Sequence, residues 1–238
     1  MKKNLKCVAT LLALTAFFQT AHGAVVFDNL GTPLGLFNTG SGQQVGDEIV
    51  LAGGAATLDN FSFEYFGSNF MGGESAEVFF YKNDGSPFAG YASPGTLLWD
   101  SGSFSIPGTF DASSPAGTPF NALVTFSATG LANDLPLGGL AVPGDFTWTV
   151  VFTGIGAGES AGTILSSAAP ATGSDYNDYW LNTGTVSSPN WQLMVSSTQN
   201  IDFLAQANSV PEPATLTLLG IGVIGLAGLI FKRAAVWA

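Results

Sequence analysis

Residues 145–152 read DFTWTVVF, and large apolar side chains occupy every second position of this stretch. Successive side chains of a β-strand point to opposite faces of the sheet, so the stretch predicts a strand with one buried face. The apolar positions of this strand are Phe146, Trp148, Val150 and Phe152. The same two-residue alternation recurs in residues 60–66, 121–126 and 201–207, whereas helical periodicity is hard to find between residues 24 and 207.

Turn-forming residues separate the alternating stretches. Lys82-Asn83-Asp84-Gly85 ends one predicted strand with residues that tolerate a positive φ, and Pro-Gly pairs at 94–95 and 143–144 punctuate later strands. A parallel sheet would need crossover helices, and no stretch of this region has their pattern. We therefore expect an all-β domain of about ten short strands, arranged as an antiparallel two-sheet sandwich that is jelly-roll-like.

Charge is distributed unevenly along the chain. Between residues 24 and 210 the only basic residue is Lys82, against 16 acidic residues, which makes a net charge of −15. Binding to nucleic acid requires cationic side chains that replace counterions, so nucleic acid is excluded as an expected partner. Cys7 and His22 are the only cysteine and histidine. A domain that starts after them can contain neither a disulfide, nor a His/Cys zinc site, nor a Ser-His-Asp triad.

The first 23 residues have the three parts of a signal peptide. Its basic residues are Lys2, Lys3 and Lys6. An apolar run at 8–18 follows, and Ala21 and Gly23 place small residues at the −3 and −1 positions of a cleavage site. Ala24 is then the first residue of the mature chain, and signal peptidase is an expected partner.

The C-terminal segment has the pattern of a membrane span. Residues 214–231 contain 18 residues without a charge, which as a helix extend about 27 Å and are just long enough for a hydrocarbon core. Lys232 and Arg233 follow directly, so the positive-inside rule predicts a cytoplasmic tail and a domain outside the membrane. The expected organisation is a signal peptide at 1–23, an acidic ectodomain at 24–209 and a C-terminal tail at 210–238.

This tail resembles the PEP-CTERM sorting signal. The resemblance is carried by Pro211, Glu212 and Pro213, by the apolar span after them, and by the basic residues Lys232 and Arg233. It implies recognition by an exosortase, an integral-membrane cysteine protease, after transient anchoring in the inner membrane. It also implies delivery to the cell surface or the extracellular matrix, where such proteins often accompany exopolysaccharide and biofilm production.

The middle of the chain resembles, more loosely, the choice-of-anchor β-sandwich ectodomains that often precede such tails. The resemblance runs from residue 60 to about residue 193 and rests on the order of the segments FFYKNDG, SPGTLLWDSG, FTWTVVFTG and ATGSDYNDYW. It supports the sandwich architecture and implies no catalytic residue.

Residues 175–180, with the sequence DYNDYW, contain the strongest candidate for a binding site. Tyr176, Tyr179 and Trp180 could stack on the apolar faces of sugar rings while neighbouring carboxylates and amides bind the hydroxyls. The alternative interpretation is that Tyr179 and Trp180 open a strand and pack in the core, and that the Asp residues form turns.

Carboxylates offer two further hypotheses. Asp84 with Asp100, or Asp175 with Asp178, could supply oxygen ligands to Ca²⁺, and any two carboxylates at a suitable separation could act as a glycosidase pair. No pair stands out by its spacing. The expected function is therefore a non-enzymatic exported surface or matrix protein that an exosortase sorts. A carbohydrate-binding module and a carboxylate-based glycosidase are the alternatives.

Overall fold

The computed structural model describes residues 23–106, 118–195 and 201–210, and these residues contain fifteen β-strands, numbered in chain order. The strands are β1 (Ala24–Asp28), β2 (Pro33–Thr39), β3 (Gln44–Val50), β4 (Ala56–Ser68), β5 (Ser75–Tyr81), β6 (Leu97–Asp100), β7 (Phe104–Ser105), β8 (Phe120–Ser127), β9 (Leu140–Val142), β10 (Asp145–Thr153), β11 (Ser160–Ser166), β12 (Ser174–Asp175), β13 (Asp178–Asn182), β14 (Trp191–Val195) and β15 (Ala205–Ser209). The predicted signal peptide before Gly23, the sorting motif and the apolar span 214–231 lie outside the described residues. In the described part of the chain, no helix is long and apolar enough to cross a membrane.

The strands form two sheets, and every strand pair is antiparallel. The first sheet has the order β1-β15-β4-β11-β2, with β8 and β9 also paired to β4. The second has the order β14-β13-β3-β10-β5-β6, with β12 paired to β3 and β7 paired to β5. The expectation of an all-β antiparallel two-sheet sandwich is therefore confirmed. Residues Ala24–Val210 form a compact unit.

Aromatic rings fill the space between the sheets. The ring of Phe61, on β4 of the first sheet, lies 4.8 Å from that of Phe80 and 5.4 Å from that of Trp148, which belong to the second sheet. The ring of Phe63 lies 5.4 Å from that of Trp148 and is likewise completely buried. Tilted and edge-on ring pairs at these distances add to the free energy gained by removing apolar surface from water.

The expectation that each alternating segment has a single buried face is wrong for β10. Residues 146–152 are all buried, because a smaller apolar cluster covers the second face of this strand. That cluster consists of Phe79, Tyr81, Val151, Trp180 and Trp191. The two threonines on this face are satisfied by side chains: Thr149 Oγ1 accepts a hydrogen bond from Gln44 Nε2 at 2.7 Å, and Thr147 Oγ1 donates one to Asn83 Oδ1 at 2.7 Å.

Residues 201–207 also depart from the predicted strand. The strand begins only at Ala205, and Asp202 and Leu204, which should alternate with the apolar face, are as buried as Ile201 and Phe203. The segment passes through the interior before it joins the first sheet, where the Leu204 N–H donates to the Ile164 carbonyl at 2.9 Å. Both of its faces are therefore covered by protein.

Replacing Phe63 by Ala should lower the free energy of unfolding by about 3–5 kcal/mol, because a buried ring is lost and a cavity remains between the sheets. Leu123→Ala on the neighbouring strand β8, where the side chain is 55% exposed, is the control and should change it by less than about 1 kcal/mol. Urea denaturation of both variants measures the difference. Equal losses would contradict the assignment of the core to the Phe63 face.

Candidate functional site

The structure does not bring the three candidate sugar-binding aromatic residues together. Tyr176 is 46% exposed, whereas Trp180 is 0% exposed and belongs to the cluster that covers β10. Tyr179 is half-buried, and its ring packs against those of Phe37 and Phe203 at 4.9 and 6.0 Å. Because Tyr179 and Trp180 are successive residues of β13, their side chains point to opposite faces. Only Tyr176 of the three offers an open ring surface.

Asp84 and Asp100 each stabilise a local turn. The Asp84 carboxylate accepts hydrogen bonds from the backbone N–H and the hydroxyl of Thr96 at 2.6 and 2.8 Å. These bonds lower the pKa of Asp84. Asp100 accepts the N–H of Gly102 at 2.6 Å. Among the described residues, one cluster of acidic side chains has oxygen atoms close enough together to share a metal ion. Neither Asp84 nor Asp100 belongs to that cluster.

That cluster consists of Asp47, Asp175 and Asp202. One carboxylate oxygen from each lies within 4.8 Å of the other two. Asp47 is 0% exposed and Asp202 is 2% exposed, while Asp175 is half-buried. We call these residues the acidic triad. Its members come from three distant segments of the chain, namely β3, β12 and the stretch that leads into β15.

The pairing register of β3 directs Asp47 into the interior. Val45, Asp47 and Ile49 alternate along the strand, and in β10 their partners are Val150, Trp148 and Phe146, which are core residues. A Cβ atom on Gly46 would overlap the carbonyl oxygen of Trp148, so the glycine allows β3 to lie close to β10 beside Asp47. The Asp47 carboxylate therefore lies between two apolar side chains, Val45 and Ile49, on the buried face of β3.

Hydrogen bonds fix the other members of the acidic triad. The side-chain amide of the buried Asn29 donates to Asp175 Oδ2 at 3.0 Å, and its oxygen accepts the N–H of Ala205 at 3.2 Å. The backbone carbonyl of Asp202 accepts the N–H of Ser166 at 2.7 Å. The N–H of Phe203 donates to Asp47 Oδ2 at 2.9 Å. Asp47 Oδ1 is buried and has no hydrogen-bond partner.

Burial makes the carboxyl groups of Asp47, Asp175 and Glu48 weak acids. Burial, then the charge of Asp175, raises the pKa of Asp47 well above its ordinary range. Burial also raises the pKa of Asp175 to about 6, although the hydrogen bond from Asn29 opposes the shift. Burial, Asp145 and Asp178 raise the pKa of the neighbouring Glu48 to about 7. Such groups require either a proton or a cation to compensate their charge.

Glu74, which is nearly completely buried, and the half-buried Glu159 form a second pair of carboxylates. Glu74 and Glu159 both accept the backbone N–H of Met71, at 2.8 and 2.9 Å. Glu74 lines a depression of about 380 Å³ together with Phe70 and Ile106. Both carboxylates accept further backbone N–H groups of the turns that carry them. The glycosidase hypothesis can be tested at this pair of carboxylates.

Sequence reasoning missed two members of the acidic triad and identified one. The sequence makes Asp175 a candidate calcium ligand, but pairs it with Asp178. Asp178 does not belong to the acidic triad, although its charge contributes to the raised pKa of Asp47. A signal for Asp47 was present, since it interrupts the apolar face of β3. Asp202 similarly stands between Ile201 and Phe203.

Comparison with known proteins identifies the C-terminal segment. Residues 209–233 match the PEP-CTERM protein-sorting motif. The chain therefore carries this motif, which indicates an exported surface protein that an exosortase sorts. No curated protein and no solved structure matches the chain.

In metal-free buffer the free energy of unfolding should fall as the pH rises from 4 to 7. Asp47 and Asp175 have raised pKa values in the folded state, so their stabilising contribution is full below the ordinary carboxyl pKa and is lost as the pH rises through the raised values. The other charged groups that raise the pKa of Asp47 are Asp202 and Asp178.

The test is urea denaturation across this pH range in the presence of a chelator. Asp175→Asn should reduce the pH-dependent loss by about 1–2 kcal/mol, after allowance for solvent screening of a half-buried group. Asp145→Asn removes an exposed charge from β10 that raises the pKa of Glu48 but not those of Asp47 and Asp175, so it serves as the control and should reduce the loss less than Asp175→Asn does. If the free energy of unfolding of Asp175→Asn falls between pH 4 and pH 7 by as much as that of the unmodified protein, the assignment is refuted.

Proposed function

We propose that this chain is the precursor of a non-enzymatic surface or matrix protein, from which an exosortase removes the C-terminal tail. In this proposal the tail anchors the precursor transiently in the inner membrane, with the domain outside. The released acidic sandwich then remains at the cell surface or in the extracellular matrix, in association with exopolysaccharide. The net charge of −15 over residues 24–210 favours solubility there.

The observation that carries the proposal is where the folded domain ends. The last strand, β15, ends at Ser209, and the N–H of Val210 donates to the Thr57 carbonyl at 2.7 Å. Pro211 and Pro213 follow, and proline has no N–H with which to extend a ladder. Cleavage near the matched motif would therefore cut the chain beyond the domain and leave all of its strand pairs intact.

The start of the domain supports the same proposal. β1 begins at Ala24, the first residue after the predicted signal-peptide cleavage site, and Ala24 pairs with Ser209 of β15. The two ends of the domain are therefore neighbours on adjacent antiparallel strands. A domain held outside the membrane by a signal peptide and a C-terminal span would be tethered at one edge, and removing both segments would release it without unfolding.

Mass spectrometry of the C-terminus tests the sorting proposal in a host that contains an exosortase. The surface or secreted fraction should contain a product that ends near Val210. Glu212→Ala should cause the full-length precursor to accumulate in the membrane fraction, because the motif is altered. Asn208→Ala, which lies before the matched residues, is the control and should be processed normally. A released protein that still ends at Ala238 would show that the tail is not removed.

The non-enzymatic part of the proposal has a separate test at the carboxylate pair Glu74 and Glu159. Incubation of the protein with matrix polysaccharide should produce no new reducing ends. If reducing ends form and Glu74→Gln abolishes them while Glu77→Gln does not, the chain is a glycosidase and this part of the proposal fails.

A further inference from the structure

Asp47 carries a buried carboxyl group that no basic side chain of the described residues can neutralise. Lys82 is the only basic side chain between residues 24 and 210, and it is exposed on the loop after β5. Among the residues that the structure describes, no lysine or arginine can therefore pair with Asp47, which is completely buried. A buried carboxylate without a partner costs several kcal/mol, so a proton or a bound cation must supply the missing charge.

The buried Oδ1 atom of Asp47 points to a ligand independently of this charge balance. Asp47 Oδ2 accepts the N–H of Phe203, whereas Oδ1 is buried and accepts no hydrogen bond. Buried polar atoms in folded proteins almost always have a partner. One oxygen of each of the two other carboxylates lies within 4.8 Å of an Asp47 oxygen, so the acidic triad offers a set of closely spaced oxygen donors.

We propose that Asp47, Asp175 and Asp202 bind a divalent cation, with Ca²⁺ as the best fit, which ties the two sheets of the sandwich together. All the donors are oxygen atoms, and Ca²⁺ accepts six to eight oxygen ligands in flexible geometry. Three carboxylates carry six oxygens. The half-buried position of Asp175 leaves the site a route to solvent for the cation and for water ligands.

The position of the site explains what the cation would stabilise. Asp47 and Asp175 belong to strands of the second sheet, whereas Asp202 belongs to the segment that enters β15 of the first sheet. The Asp202 carbonyl and the Leu204 N–H are bonded to Ser166 and Ile164 of β11, also in the first sheet. A cation bound to all three carboxylates would therefore join segments that are distant in sequence, and its binding free energy would add to the stability of the fold.

Thermal unfolding of the full-length protein in detergent at pH 7.5, first with a chelator and then with added CaCl₂, tests the proposal. At a Ca²⁺ concentration a hundredfold above the Kd, the Tm should rise by about 5–10 °C. Mg²⁺ should produce a smaller shift, because it requires stricter octahedral geometry and loses its water reluctantly. An unchanged Tm on addition of Ca²⁺ would mean that protons alone neutralise the acidic triad, and would overturn the proposal.

Matched variants locate the site. Asp47→Asn should abolish the Ca²⁺-dependent rise in Tm, yet it should not lower the Tm in chelator, since it removes a buried charge without changing the size of the side chain. Asp145→Asn, an exposed acid on β10, should retain the full rise. Retention of the rise in Asp47→Asn, or its loss in both variants, would refute the assignment.

Two further measurements remain decisive if Asp47→Asn does not fold. Asp175→Asn, at the solvent side of the site, should raise the Ca²⁺ concentration at the midpoint of the stabilisation at least tenfold. Tb³⁺, which replaces Ca²⁺ in oxygen sites, should show emission sensitised by Trp148, the cross-strand partner of Asp47, and Ca²⁺ should displace it. An unchanged midpoint, or Tb³⁺ emission that persists after Ca²⁺ is added, would contradict the proposed site.

Discussion

The packing of Phe61 and Phe63 against Trp148 determines how the two sheets meet. β4 and β10 are the long strands that carry these rings, and each is paired on both edges, so the rings cannot shift without moving the neighbouring strands. The register of β3 against β10 places Asp47 opposite Trp148 and sets the direction of each β3 side chain. The acidic triad is thus a consequence of the aromatic core, because the same face that buries Val45 and Ile49 also buries Asp47.

Much of this arrangement could be predicted from the sequence, because strands and turns depend on local patterns. Alternation identified most of β4, β8 and β10, and the Asn-Asp-Gly turn after β5 correctly ended a strand. The covered second face of β10 could not be predicted in this way. Alternation reports which residues of one strand share a face, but not what lies over that face, and the covering residues Trp180 and Trp191 are more than 25 residues further along the chain.

The candidate sites show the same limit more sharply. Their adjacency in sequence groups Tyr179 with Trp180, but a strand directs the two side chains to opposite faces, one toward Phe37 and the other under β10. Asp47 and Asp202 are 155 positions apart and were not grouped, although the fold brings their carboxylates together. Spacing along the chain therefore predicted the sorting tail, whose residues act in order, but could not predict a site assembled from three separate segments.

β15 connects the acidic triad with the sorting motif. The chain enters this five-residue strand through Asp202 and Phe203, whose N–H is bonded to Asp47, and it leaves the strand through Val210, which is bonded to Thr57. So short a strand gains limited stability from its own ladder, and hydrogen bonds at both ends oppose local opening. Neutralising the charge of the acidic triad would strengthen the upstream end. Under the proposed sorting, in which the tail is anchored in the membrane and then cut, the domain would keep its last strand in place.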